Sequence, residues 1–189
     1  MKGKRSGVEF EDHLLIVTDL GDEGVIHTFK KLLTRQGMIK FINVEGILAV
    51  TGDYGNWMFC RPFIPSKESN YVSSGYWNEK LEILSTQNPY EFDEEATEKE
   101  IQKYLDEDKK AEEDADEKLT EEERDYLENC LDAVDQGEHY YTAFAHMNNV
   151  GRFGDHECVP LRKKLNPWLE VIYDAYDEIV RRYKENETM

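Results

Sequence analysis

The sequence predicts an α+β protein: an N-terminal β-α-β-β-β unit with an antiparallel sheet, then an acidic helical insertion and C-terminal helices. Three observations predict it. Short runs rich in branched and aromatic residues, separated by turn residues, occupy the first 63 positions. Apolar residues recur at helical spacing over residues 166–183. Between these regions the charge changes abruptly: residues 91–136 hold 21 acids and 6 bases, a net −15 out of −18 for the whole chain. The flanks, 1–90 and 137–189, carry only −1 and −2. The division expected from this is a sheet unit over 1–90, an acidic insertion over 91–136 and a helical part over 137–189 that packs back on the sheet, as one compact domain.

Leu14 to Thr18 is a short apolar run and reads as a strand. After Gly21, the residues Val25, Ile26, Phe29, Leu32 and Leu33 recur at helical spacing, with Asp22 and Glu23 ahead of them and Lys30, Lys31 and Arg35 behind, as a helix dipole prefers. A helix is expected there, stopped at Gly37. Met38–Asn43, Ile47–Thr51 and Trp57–Phe63 then form a three-strand meander, turned at Glu45-Gly46 and at Asp53-Tyr54-Gly55-Asn56. Pro62 ends the last strand or places it at an edge. Tyr76, Trp77, Leu81 and Leu84 suggest a short helix.

In the acidic segment, Thr97 with Glu100 and Thr120 with Glu123 both fit a capping box, in which a hydroxyl and a carboxylate satisfy each other's backbone amides. Ile101, Tyr104 and Leu105 give one helix its apolar stripe; Leu127, Cys130, Leu131 and Val134 give a second. Asp106 to Lys118 contains no apolar side chain larger than alanine and reads as a solvated continuation or link. Glu138 to Met147 suggests another helix, with Tyr141, Phe144 and Ala145 available for packing, and Asn148 to Pro160 a loop. In the last helix Asn166 caps, Pro167 takes the first position, and Trp168, Ile172, Ala175, Ile179 and Tyr183 line one face.

A chain of 189 residues can bury a core without disulfides or a structural metal. Cys60, Cys130 and Cys158 are odd in number and widely spaced, which is no disulfide framework. Cys60 and Cys130 read as inert core residues. The basic N-terminus lacks a following apolar stretch, and no apolar run is long enough to span a membrane. A cytoplasmic protein with reduced thiols is expected.

Two constellations bear on chemistry. The turn Gly52–Arg61 either is a plain hairpin that sends Trp57 and Phe59 into the core, or presents Asp53, Tyr54, Asn56 and Arg61 to a small ligand. Its spacing matches no phosphate loop or dinucleotide fingerprint. Asp155-His156-Glu157-Cys158, with His146 upstream, lacks the second ligand pair of a zinc site, so no metal or other cofactor is expected. The acidic segment either solubilises or binds. Taken as one helix, its 21 acids would fall one per ~3.3 Å of axis, close to the ~3.4 Å of a DNA strand, while the net charge is sparser. Such a field repels nucleic acid and anionic membranes and attracts basic proteins.

The stretch ILAVTGDYGNWMFCRPFIP at 47–65, with YWNEKL at 76–81, resembles a class of small proteins carried by phages and prophages, over the first half of the chain. That resemblance implies a mobile-element origin in a bacterial host and assigns no catalytic residues. Small acidic proteins of such elements bind and block host machinery that handles nucleic acid, including restriction and CRISPR nucleases. The function expected is therefore non-enzymatic inhibition of a basic nucleic-acid-binding protein, by charge attraction or nucleic-acid mimicry. The strongest patch is expected at Glu112, Glu113, Asp114, Asp116 and Glu117, with aromatic anchors at Tyr104 and Tyr126 and further candidates at Tyr90 and Phe92. The alternative is a ligand-binding or catalytic site at the Gly52–Arg61 turn. Self-association is compatible with either.

Overall fold

The computed structural model describes residues 5–32, 34, 36–82, 88–111, 118–134, 136–137, 151–153 and 162–185. It divides into two compact units, one made of residues 1–89 with 165–189 and the other of residues 90–164. The second extends well past the boundary that charge marks at 136. No described helix is long and apolar enough to cross a membrane.

The first unit is a six-stranded sheet with every neighbour antiparallel, in the order of the chain: β1 His13–Asp19, β2 Gly24–Lys31, β3 Ile39–Val44, β4 Ile47–Gly52, β5 Trp57–Phe59 and β6 Leu81–Glu82. The α+β class and the antiparallel N-terminal sheet stand as expected. The helix expected after Gly21 is instead a 3-10 turn, Gly21–Glu23, followed by β2. Val25, Ile26 and Thr28 are β-branched, and His27 and Phe29 alternate inward with a period of two. Full registers with β1 on one side and β3 on the other outweigh the helical spacing. Gly24 is required at the head of β2. Its φ is +145°, and a Cβ there would stand 2.0 Å from the Asn43 carbonyl oxygen.

Alternate residues of the sheet point to one buried face. Phe29, Ile39, Phe41, Leu48, Val50, Trp57 and Phe59 form that layer. β5 stops at Phe59, short of the expected Phe63, and Pro62 follows in an irregular stretch. There the Asn43 amide donates to the Phe63 carbonyl at 3.0 Å and its carbonyl accepts the Phe63 N–H at 2.8 Å, both buried.

Helix α1, Ser74–Lys80, starts where the Ser73 hydroxyl accepts the Tyr76 amide. It delivers Trp77, fully buried, between Phe63 and Tyr173 with ring centroids at 4.0 and 5.0 Å. Tyr173 belongs to the C-terminal helix Pro167–Glu185. In chain order this is α4, after α2, Glu94–Lys110, and α3, Glu121–Val134, of the second unit. Its N-cap is as expected, with Asn166 accepting the Trp168 amide at 3.0 Å. Leu169, Ile172, Tyr173, Ala175, Tyr176, Ile179 and Val180 bury against the sheet. Trp168, expected on this face, is 46 % exposed: it shares the angle of the stripe but lies in the first turn, at the end of the helix. Arg5 ties the N-terminal segment to the helix, donating to Asp177 at 2.9 Å.

Candidate functional site

The second unit is built from residues that bury little. Strand β7, Tyr90–Phe92, pairs with β8, Lys163–Leu165, at its base. Asp93 caps α2 through the Ala96 amide at 3.1 Å, so the helix starts four residues before the expected Thr97 box. The Thr97 hydroxyl is buried and accepts the Arg162 amide at 3.0 Å. The second box forms as expected: Glu123 accepts the Thr120 amide at 2.9 Å, and the Thr120 hydroxyl accepts the Glu123 amide at 3.2 Å.

Helices α2 and α3 share a small core of Ile101, Leu105, Leu119, Tyr126, Leu127, Cys130, Val134 and Phe153. Phe153 comes from a 3-10 turn, Gly151–Phe153. Tyr126, expected as a surface anchor, is 3 % exposed and stacks on Phe153 at 5.6 Å. It serves this core and is not available to a partner; burial pushes its hydroxyl pKa up. Tyr104 meets the edge of Phe153 at 5.5 Å and is half-buried. Phe92 packs on the same cluster, and Tyr90 is exposed.

The residue that sequence reasoning missed is Asp108. The stretch Asp106–Lys118 reads as solvated, yet Asp108 is 3 % exposed. Its carboxylate accepts the Leu119 amide at 2.8 Å and Arg124 Nε at 3.0 Å, with Lys118 Nζ at 3.8 Å. Burial alone would raise its pKa; the Arg124 and Leu119 hydrogen bonds and the nearby cations win and lower it. An acid in a run of acids gives no sign in sequence that it is the one turned inward. Glu112, Glu113, Asp114, Asp116 and Glu117 lie outside the described residues, as do the Glu138–Met147 and Asp155–Cys158 segments and His146.

The two helices differ in how their surface acids are matched. On α2, Glu95 pairs with Lys99, Glu107 with Lys103 and Asp106 with Lys109. Arg162 pairs with Glu100 at 2.8 Å. On α3 the only base is Arg124; it bonds Asp108 and also attracts Glu128 and Asp125. Glu121, Asp125, Glu128 and Asp132 follow one another at helical spacing, all exposed, with Glu122 beside them. They form a stripe about 16 Å long, one charge per roughly 5 Å. Like charges three and four apart cost a helix about 0.2–0.5 kcal/mol per pair. Asp132 also sits in the last turn, where the dipole favours a cation and none is present. The Glu128–Asp132 end of the stripe therefore opposes the stability of its own helix, while Glu121, in the first turn, favours it.

Several polar groups of the Gly52–Arg61 turn are bonded within the first unit. The Asp53 carboxylate accepts the Met38 amide at 3.2 Å, and the Tyr54 carbonyl accepts Trp57 Nε1 at 2.8 Å. Trp57 and Phe59 enter the core as the hairpin reading requires. Arg61 lies five residues beyond Asn56, on the order of 16 Å along an extended chain, and donates to the Tyr76 hydroxyl. Cys60, expected in the core, is exposed because it follows the last residue of β5, while Cys130 is buried as expected.

Among the described residues no group of three or more His, Cys, Asp or Glu could hold a metal ion. A groove of about 460 Å³ in the first unit is lined by Leu15, Val17, Arg182, Tyr183 and Glu185, none of them in the turn. Comparison with protein-family models, with curated proteins and with solved structures finds no match.

Proposed function

We propose that this chain acts by binding: the acidic second unit engages a basic, nucleic-acid-handling protein of a bacterial host and blocks it, in the cytoplasm. The observation that supports this reading is the exposed stripe Glu121–Asp125–Glu128–Asp132 on α3, a helix with Arg124 as its single base, against α2, where lysines pair with Glu95, Asp106 and Glu107. A helix that carries like charges at its own cost gains when a partner supplies the cations. The likeness of residues 47–65 to phage and prophage proteins points the same way and suggests an anti-defence role, such as blocking a CRISPR or restriction nuclease. The stripe is sparser than a DNA strand, which favours charge attraction over close imitation of nucleic acid. Glu112, Glu113, Asp114, Asp116 and Glu117 extend the same acidic run in sequence and are candidates on that ground alone; Tyr104 and Tyr90 are the aromatic candidates left.

The test is capture from bacterial lysate with three baits: the intact chain, a variant with Glu121, Asp125, Glu128 and Asp132 changed to Gln or Asn, and one with the five acids of 112–117 so changed. A basic nucleic-acid-binding protein held by the intact chain, lost from a variant and released by moderate salt is the expected result. Equal capture by all three baits, with equal salt dependence, would end the reading.

A further inference from the structure

Among the described residues of the first unit, one long sheet edge has no neighbouring strand. β6, at one end of the sheet, is two residues long; β1, at the other, has seven residues in unbroken register with β2. Natural edges are blunted with lysine, proline, bulges or a covering element. β1 contains no lysine, proline or glycine and no bulge, and Leu14, Ile16 and Val17 are 42, 42 and 47 % exposed.

The phase of its hydrogen bonds is fixed. The Leu20 amide donates to the Gly24 carbonyl at 3.0 Å, so residues paired as 20 with 24, 18 with 26 and 16 with 28 bond inward to β2. The amides and carbonyls of the alternate residues, Leu15, Val17 and Asp19, face the open edge. The same residues point their side chains to the inner side of the sheet. There Leu15 and Val17 line the groove closed on its far side by Arg182, Tyr183 and Glu185.

We infer that the occupant of this edge is the β1 strand of a second copy of this chain, antiparallel about a two-fold axis at Ile16. In that register Leu15 pairs with the partner copy's Val17, using the outward amides and carbonyls of both. Ile16 meets its own mate on the outer face, and His13 stands opposite Asp19. Charge selects this arrangement. The start of β1 carries Lys30, Lys31 and Arg182, whose guanidinium bonds the His13 and Phe10 carbonyls and pairs with Glu178 at 2.9 Å; Glu11, Asp12 and Glu178 balance these bases. The end of β1 carries Asp19, Asp22 and Glu23 with no base. Antiparallel pairing sets each acidic end beside the mate's Lys30 and Lys31, whereas parallel pairing would set the two acidic ends together. A two-fold interface must be self-complementary in this way. The paired copies would share one continuous twelve-stranded sheet, and the groove beside each β1 would face its mate's Leu15 and Val17.

The test uses the full chain in sedimentation velocity over a wide concentration range. The wild type is expected at twice 22.2 kDa. Ile16→Lys sets two like charges across the axis, and Val17→Pro removes an outward amide without touching the β2 ladder. Each is expected to halve the mass while circular dichroism stays unchanged. In a Cys60→Ser background, Ile16→Cys is expected to form a disulfide between copies under mild oxidation, and Leu14→Cys is not. A wild type that stays monomeric at every concentration would overturn the proposal, as would a dimer that survives both substitutions or cross-links equally through position 14.

Discussion

Acidifying the solution from pH 7.5 to 5.0 is expected to remove about 2 kcal/mol of stability through His27 alone. His27 is 1 % exposed in β2, and its Nε2 lies 3.0 Å from the Tyr183 hydroxyl. No carboxylate is among the causes of its shift; burial alone lowers its pKa from 6.5 to about 4. The folded protein therefore holds His27 neutral where the unfolded chain would protonate it. Stability is fully present above pH 6.5, begins to fall as the unfolded state takes up its proton, and stops falling only near pH 4. Keeping the window above pH 5 separates this from Asp108 and Glu178, whose lowered pKa values place their losses at more acidic pH. The assay is urea unfolding at fixed ionic strength, followed by near-ultraviolet circular dichroism. A loss of this size lowers the midpoint by about 1 M. His27→Phe keeps an aromatic ring and removes the titration. Its midpoint is expected to fall much less across the window, the residue being due to His13, whose pKa burial also lowers. If wild type and His27→Phe fall in parallel, the desolvation argument is refuted.

Further outcomes follow from contacts already described. Gly24→Ala is expected to cost about 3 kcal/mol or more, because both the φ of +145° and the 2.0 Å approach to the Asn43 oxygen must be relieved; thermal unfolding measures it. Asn43→Ala is expected to cost about 2–4 kcal/mol in urea unfolding, since it leaves the buried Phe63 amide and carbonyl without partners. Replacing Asp132 by Lys is expected to stabilise the protein by about 0.3–1 kcal/mol, read as a slightly higher unfolding temperature, and to weaken partner capture; a loss of stability would contradict the account of α3. In a Cys158→Ser background, a thiol reagent is expected to modify one cysteine of the native protein rapidly, exposed Cys60, and to reach buried Cys130 only on unfolding.

The parts of the fold legible in sequence were those where local pattern and tertiary context agree. The meander of β3 to β5, the Thr120–Glu123 box and the Asn166–Pro167 start of α4 each rest on turn or capping chemistry that acts within a few residues. β2 was misread because Val25, Phe29 and Leu32 fit a helix as well as a strand, and only pairing on both sides decides between them. The candidate site was legible as a charge total but not as a surface. Which acids are matched by lysine, which one turns inward at Asp108, and that Tyr126 fills a core are set by helix phase and by Phe153, distant in sequence. The open edge of β1 was invisible as well, since strand order cannot be read from the run Leu14–Thr18 itself.

The position of α4 in the chain has a consequence for synthesis. The aromatic layer on β2 to β5 is complete once Phe59 has been made, yet the helix that covers it begins at Pro167. At about 5–20 residues per second, roughly 5–20 s of translation separate the two. During that interval the sheet has α1 and Phe63 beside Phe59 but lacks the cover of α4, and the emerging chain is the acidic one. Its charge keeps neighbouring nascent chains apart while the core waits for its last element. Truncation anywhere before Leu169 is then not a shortened version of the protein but an uncovered sheet, and such products are expected in the insoluble fraction.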